Sequence, residues 1–301
     1  MLRWRITLGL LFAGSISGLC WLDAHSSRPG LWLLPLALLI AVLASDELVR
    51  MARGIAPGTL AWPIGLGNAA ITLASFAPQL VPTLGAGGAA TAIAPWTWTA
   101  LAIAGAMLLT LTVEMVRYTA PGLHAQRLAL SALSFVYVGA LLSFVVHLRF
   151  VGTGPNTGLA AILSLIIVVK FADIGAYTVG RLIGRHKMAP RLSPGKTLEG
   201  AGGAMLFACL GAWLALNVLA SPISGGVFAP LPIWRWIAFG LVVGLAGLLG
   251  DLAESLLKRD LGRKDSSDWM PGFGGVLDLL DSVLFAAPVA YACWRFGLCG
   301  V

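Results

Sequence analysis

The sequence predicts an all-α, polytopic integral membrane protein with about nine transmembrane helices and a cytoplasmic N-terminus. Three observations carry this. The composition is too apolar for a water-soluble exterior, the apolar segments recur at spanning length, and lysine and arginine fall on one side of the resulting ladder. Of 301 residues, 58% are hydrophobic and 11% are charged, with a mean hydropathy of +0.88. Soluble domains carry about 25% charged residues, because most of their exterior meets water. Apolar runs this long and continuous suit helices rather than barrel strands.

The apolar segments run at about 5–22, 30–45, 60–78, 96–115, 128–147, 157–172, 201–220, 235–250 and 276–296, with ends uncertain by several residues. The opening MLRWRITLGLLFAGSISGLC resembles a signal sequence in its Arg3, Arg5 and apolar stretch. Further membrane segments follow it, so it reads as the first span. The third segment contains Pro63, Asn68 and Pro78, which predict kinks or a partly re-entrant path. The sixth ends in Lys170 and Asp173. Cys20, Cys209, Cys293 and Cys299 lack metal-ligand spacing and read as small buried hydrophobes. Frequent glycines and alanines permit close helix contacts, within one chain or across a homodimer.

Arg3, Arg5, Arg50, Arg53, Arg117 and Arg127 fall on one side of the ladder. The same side receives Arg181, Arg185, Lys187, Arg191 and Lys196, then Lys258, Arg259, Arg263 and Lys264. The other side receives only Arg28, Arg149, Arg235 and Arg295, and its loops at 79–95 and 221–233 carry no charge. This positive-inside pattern sets the orientation and supports the odd number of spans. It also accounts for the formal charge of +7, so no nucleic-acid partner is expected. The near absence of soluble extensions favours a multi-pass protein of a bacterial inner membrane. Residues 1–150 hold the first five helices. Residues 151–301 hold the catalytic region, whose two longest polar loops, about 173–200 and 251–275, face the cytoplasm.

In the first polar region, KFADIGAYTVGRLIGRHKMAPRLSPGKTLEG, Lys170 and Asp173 stand where the apolar run ends. Charge at such a position has to be paired or wet. Lys170 can snorkel to the surface, but the short Asp173 side chain is a site candidate. Arg181, Arg185, His186, Lys187 and Arg191 suit anionic headgroups or a polyphosphate, besides setting topology. The Gly-Lys-Thr of LSPGKTLEG lacks the glycine spacing and preceding strand of a P-loop. Ser193, Lys196, Thr197 and Glu199 flank a bend expected at Pro194-Gly195, which would make either a phosphate-binding turn or a plain surface turn.

In the second region, GDLAESLLKRDLGRKDSSDWMPGFGGVLDLLDS, a continued eighth helix puts Asp251, Glu254, Ser255 and Lys258 on one face. Glu254 and Lys258 then have the favourable i,i+4 spacing. Residues 271–275, PGFGG, allow a sharp return. Asp278 and Asp281 follow at i,i+3 in the first turns of the last span. Unpaired carboxylates entering an apolar run are expensive, and a metal ion compensates them. Asp251 ends one span and Asp278 begins the next on the same side, and hard oxygen ligands suit Mg²⁺. An acidic metal site ringed by lysine and arginine suits phosphoryl or nucleotidyl transfer to a membrane-held substrate. A transporter would favour a midplane site between repeats, and no repeat is visible.

At these residues the sequence resembles the phosphatidate cytidylyltransferases, or CDP-diacylglycerol synthases. Ser255, Lys258, Arg259, Lys264 and Asp265 match the start of the family's closing signature, and Pro271, Gly274, Gly275, Asp278 and Asp281 match its end. Asp173-Ile-Gly-Ala-Tyr177, Gly180-Arg181 and Ser193-Pro-x-Lys196-Thr-x-Glu199-Gly200 are similar to its other conserved block. Phe273 stands where the family has histidine, Leu279 where it has arginine, and Ala172 where threonine is common.

The resemblance implies that CTP and phosphatidic acid react to give CDP-diacylglycerol and pyrophosphate. It implies a paired-metal site using Asp251 and Asp278, with Mg²⁺ and a second monovalent or divalent cation. Lys196, Lys258, Arg259 and Lys264 would hold phosphates, Asp265 and Asp281 would support metal or base geometry, and Asp173, Arg181, Lys187, Ser193, Glu199 and Ser255 would line the nucleotide and lipid sites. The alternatives are an inactive relative, a homologue acting on another lipid acceptor, and a CTP-dependent lipid kinase. A kinase would consume a neutral lipid alcohol, and an inactive relative would bind neither Mg²⁺ nor CTP.

Overall fold

The structure, a computed structural model, describes residues 14–80, 94–152, 154, 156–226, 228–267 and 274–300. Arg3, Arg5, Pro271, Phe273 and most of the charge-free loop at 79–95 lie outside the described residues. Among the described residues the helices are α1 (14–24), α2 (Leu34–Met51), α3 (Ala61–Leu80), α4 (Pro95–Val116), α5 (His124–Leu148), α6 (Thr157–Ile183), α7 (Leu198–Ile223), α8 (Ile233–Asp260) and α9 (Val276–Arg295). Two strands, β1 (Lys187–Ala189) and β2 (Ser193–Thr197), pair antiparallel between α6 and α7. Six helices, α4 to α9, are long and apolar enough to cross a membrane. α2 carries Asp46, Glu47 and Arg50 within its length, which lowers its apolar character.

The chain divides into two compact units, Met1–His147 with Leu261–Leu279 and Leu148–Asp260 with Leu280–Val301. In the first unit α3 packs against α2 and α4 around Val49, Ile64, Ile71, Ala106 and Phe135. α3 is one continuous helix through the positions expected to kink it or turn it back. Pro63 lies in its first turn, where the missing N–H has no intrahelical partner to lose. Asn68 is fully buried, and its Nδ2 donates to Ser45 Oγ of α2 at 2.7 Å and to Ser134 Oγ of α5 at 2.9 Å. Such interhelical bonds contribute on average about 0.6 kcal/mol each in a membrane. The polar residue that argued for an irregular path therefore fastens three helices together.

In the second unit α6 packs along α7, and α8 packs on both. Small residues set the approach. A Cβ on Gly175 would stand 2.4 Å from the Gly203 carbonyl oxygen, and one on Gly203 would stand 2.5 Å from Val179 Cβ. A Cβ on Gly244 of α8 would meet Ala208 Cβ at 2.5 Å. Where lipid replaces water, such packing supplies much of the helix association.

Two predicted boundaries are corrected. The loop expected over 173–200 is helical to Ile183, and the loop expected over 251–275 is helical to Asp260. Hydropathy falls at Asp173 and Asp251, but α8 continues through good helix formers such as Leu252, Ala253 and Glu254. α6 continues despite Gly175 and Gly180 because both pack closely against the start of α7. With 27 and 28 residues, α6 and α8 are each about 40 Å long at 1.5 Å per residue. The hydrocarbon layer is about 30 Å thick, so each helix has roughly 10 Å to present polar residues beyond it.

Adjacent glycines of α7 test this packing. Gly203→Ala is expected to destabilise the protein by roughly 1–3 kcal/mol, as overpacking does. Gly202→Ala, with nothing within 4 Å of its Cβ position, should change stability by less than about 1 kcal/mol. Thermal melting in detergent checks both, and equal effects would contradict the close α6–α7 contact.

Candidate active site

The C-terminal halves of α6 and α8, strand β2 and the start of α7 meet at one end of the second unit. Lys170 and Asp173, three residues apart on α6, form an ion pair at 3.1 Å with side chains 42% and 45% exposed. Pairs this exposed contribute at most about 1 kcal/mol, so fold stability does not explain them. Asp251 Oδ2 on α8 lies 2.7 Å from Lys196 Nζ on β2. The charges of Lys170, Asp251 and Lys196 act on the Asp173 carboxylate, and those of Asp251 and Lys170 act on Asp281. Asp281 is buried. A Cβ on Gly250 would meet Phe285 Cβ at 2.6 Å and the Asp281 carbonyl oxygen at 2.8 Å, so glycine there lets α8 approach this part of α9. Three helices thus contribute one carboxylate each, interleaved with two ammonium groups.

Past Asp251 the polar stripe continues along α8 as expected. Glu254 and Ser255 are buried, and Lys258 Nζ donates to Glu254 Oε2 at 2.7 Å. Arg259 Nε donates to the Leu192 carbonyl at 3.3 Å, which ties α8 to the β-hairpin.

Ala189 pairs with Ser193 and Lys187 with Thr197, so the chain reverses at Pro190–Leu192. The bend expected at Pro194-Gly195 is not there, since both residues lie within β2. A two-stranded ribbon has free edges, and proline is tolerated where no ladder N–H is needed. Thr197 Oγ1 caps α7 by accepting the Gly200 N–H at 3.1 Å. Glu199 turns back to accept the N–H groups of Arg185 at 3.1 Å and His186 at 3.2 Å, with His186 Nδ1 at 2.6 Å. Its carboxylate therefore shapes the hairpin entrance. Ser193 is half-buried, and Lys187 and Arg181 are exposed. Arg181 donates to the Tyr177 hydroxyl, and its guanidinium lies 5.8 Å from that ring's centroid.

Asp278 belongs to the first unit and occupies the first turn of α9. Its Oδ2 accepts the Gly275 N–H at 2.8 Å, the Ser266 N–H at 2.8 Å and the Ser266 hydroxyl at 2.6 Å. Lys264 and Asp265, just before Ser266, are exposed.

Sequence reasoning missed Glu47. This α2 residue is buried, and its Oε1 accepts the Val276 N–H at 2.8 Å while its Oε2 accepts the Leu277 N–H at 2.9 Å. Ser266 Oγ stands 3.2 Å from the same Oε2. A Cβ on Gly275 would lie 2.4 Å and 2.5 Å from the Glu47 oxygens, and one on Gly274, at φ +80°, would lie 2.2 Å from Asp278 Oδ2. The glycine pair of PGFGG is thus accounted for by close approach as well as by turning. The available signal was a glutamate at the end of an apolar segment, and nothing local joins it to residues 229 and 230 positions away.

Among the described residues no three His, Cys, Asp or Glu side chains form a ready metal cage. Mg²⁺ is commonly held by one or two carboxylates together with substrate phosphates, and the donors present, carboxylate oxygens beside ammonium groups, fit that mode.

A family model described as "Cytidylyltransferase family" matches residues 4–296. An uncharacterized protein, YnbB, of Escherichia coli strain K12 is 38% identical over 144 residues, which is 48% of this chain and 45% of that protein. A phosphatidate cytidylyltransferase of Helicobacter pylori is 41% identical over 165 residues, 54% of this chain and 56% of that one. A phosphatidate cytidylyltransferase of Synechocystis is 37% identical over 168 residues, 51% of this chain and 52% of that one. The chain spans about half the length of the curated relatives it matches.

Proposed function

The chain belongs to the cytidylyltransferase family, and on that basis we propose that it transfers the cytidylyl group of CTP to phosphatidic acid, giving CDP-diacylglycerol and pyrophosphate. The observation that carries this reading is the charge cluster of the second unit, in which Asp251 pairs with Lys196 at 2.7 Å and Asp173 pairs with Lys170 at 3.1 Å. Relatives named phosphatidate cytidylyltransferase support the choice of substrate.

In the proposed reaction an oxygen of the lipid phosphate attacks the α-phosphorus of CTP, and the bond to the β-phosphate oxygen breaks as pyrophosphate leaves. The nucleophile is already anionic, so the protein's task is to position it and stabilise charge. Asp251 and Asp278 are the proposed ligands of Mg²⁺, which when bound neutralises charge on the phosphates. Lys196, now paired with Asp251, exchanges part of that pairing for a phosphate oxygen. Lys258, Arg259 and Lys264 hold the remaining phosphates. Arg181 and Lys187 draw anionic substrate to the surface, and Ser193 and Ser255 offer hydroxyl donors. Asp173, Asp265 and Asp281 keep the neighbouring cations oriented, and Glu199 holds the hairpin that carries Lys196.

A second reading, transfer to another lipid phosphate, is favoured by Phe273 and Leu279, neither of which can bind a phosphate oxygen or a carboxylate as the family's histidine and arginine can. Purified protein with CTP, Mg²⁺ and phosphatidic acid should yield CDP-diacylglycerol, detected by mass spectrometry. Asp251→Asn and Asp278→Asn should each lower the rate by roughly 100-fold or more, about 2.7 kcal/mol of transition-state stabilisation. CDP-lipid formed only from another lipid phosphate would move the reading to that acceptor. No product from any lipid phosphate, with folded protein, would overturn it.

The proposed topology has nine spans in a bacterial inner membrane, with the N-terminus and the hairpin in the cytoplasm, on the strength of the lysine and arginine distribution. A cysteine placed at Gly195 should be shielded from an impermeant maleimide in intact cells and react after lysis. Labelling in intact cells would reverse the orientation.

A further inference from the structure

We propose that Glu47 is a positioning residue for Asp278, supplied by α2 as the missing N-terminal cap of α9. The inference rests on Asp278 being a metal ligand, as proposed above, and extends that reading to a residue remote in sequence. α9 starts at Val276, so Gly275 is its N-cap, and glycine has no side chain with which to receive the first amides. Two carboxylates do the work instead. Asp278, three residues into the turn, accepts the Gly275 N–H at 2.8 Å, as the third residue of a capping box does. Glu47 accepts the next two, Val276 at 2.8 Å and Leu277 at 2.9 Å, one on each oxygen. Ser266 stands between them, its Oγ 2.6 Å from Asp278 Oδ2 and 3.2 Å from Glu47 Oε2.

The consequence is a fixed carboxylate. Asp278 Oδ2 accepts three donors from Gly275 and Ser266, and Glu47 holds the backbone at Val276 and Leu277 that carries Asp278. A metal-binding carboxylate oriented by outer hydrogen bonds loses affinity by 10–100-fold when those bonds are removed. Gly275 completes the device, because any larger residue would overlap both Glu47 oxygens and Ser266 Oγ. The helix N-terminus adds its own attraction for the buried anion.

The chemistry makes Glu47→Gln informative. Both carboxylate oxygens accept backbone N–H groups, whereas an amide offers one acceptor and turns N–H donors toward the other site. Glu47→Asp keeps two acceptors on a shorter stem. Mn²⁺ binding, followed by electron paramagnetic resonance on purified full-length protein without CTP, should weaken by about 10-fold in Glu47→Gln and be partly restored in Glu47→Asp. Melting temperature monitors the fold in parallel. Unchanged Mn²⁺ affinity in Glu47→Gln with a lowered melting temperature would reduce Glu47 to a structural cap and overturn the proposal. Equal Mn²⁺ binding by wild type and Asp278→Asn would instead overturn the metal assignment of Asp278 itself, and the Glu47 role with it. Should Glu47→Gln fail to fold, Ser266→Ala removes the hydroxyl that joins the two carboxylates. A several-fold loss of Mn²⁺ affinity there supports the proposal, and no change contradicts it.

Discussion

A charge carried on a membrane helix has to be compensated where it stands, by a counter-charge, by hydrogen-bond donors or by water. The polar residues of this chain obey that constraint in three ways. In the second unit, Asp251 is met by Lys196 and Asp173 by Lys170. In the first unit, Glu47 and Asp278 are met by backbone N–H groups at the start of α9. On α6 and α8 helix length supplies the third means, because about 40 Å of helix extends past a hydrocarbon layer of about 30 Å. Within each unit, carboxylates compensated in these ways stay charged, as binding a divalent cation requires, while the lysines beside Asp173 and Asp251 suit the anionic phosphates.

The interhelical contacts serve the same end. Gly175, Gly203 and Gly244 let α6, α7 and α8 approach to backbone distance, so charges on different helices can act on one another. Gly250 does the same for α8 and the Asp281 stretch of α9. Glycine is a poor helix former in water. Its frequency here follows from a setting in which packing, rather than exclusion of water, holds helices together.

Much of this was legible in the sequence because it is local. The apolar runs locate α4 to α9, and the i,i+4 spacing of Glu254 and Lys258 anticipates their bond at 2.7 Å. The same polar stripe allowed for a helix continued past Asp251, although the region was expected as a loop, and α8 runs to Asp260. The end of α6 was misjudged because hydropathy reports where lipid contact stops, while the packing of Gly175 and Gly180 against α7 carries the helix further. Pro194-Gly195 looked like a turn because local turn chemistry cannot show that Ser193 pairs with Ala189. Asn68 argued for an irregular path only while Ser45 and Ser134 were not known to be its partners. Glu47 showed only as a glutamate at the end of an apolar segment, since its partners are brought to it by the fold of the first unit.

The central claim is that the phosphorus transferred from CTP is the α-phosphorus, as cytidylyl transfer requires. Its most direct measurement compares CTP labelled at the α-phosphorus with CTP labelled at the γ-phosphorus, each supplied with Mg²⁺ and phosphatidic acid. The account predicts that the α-label enters the lipid fraction and the γ-label leaves as pyrophosphate. Entry of the γ-label into lipid would show phosphoryl transfer and contradict it.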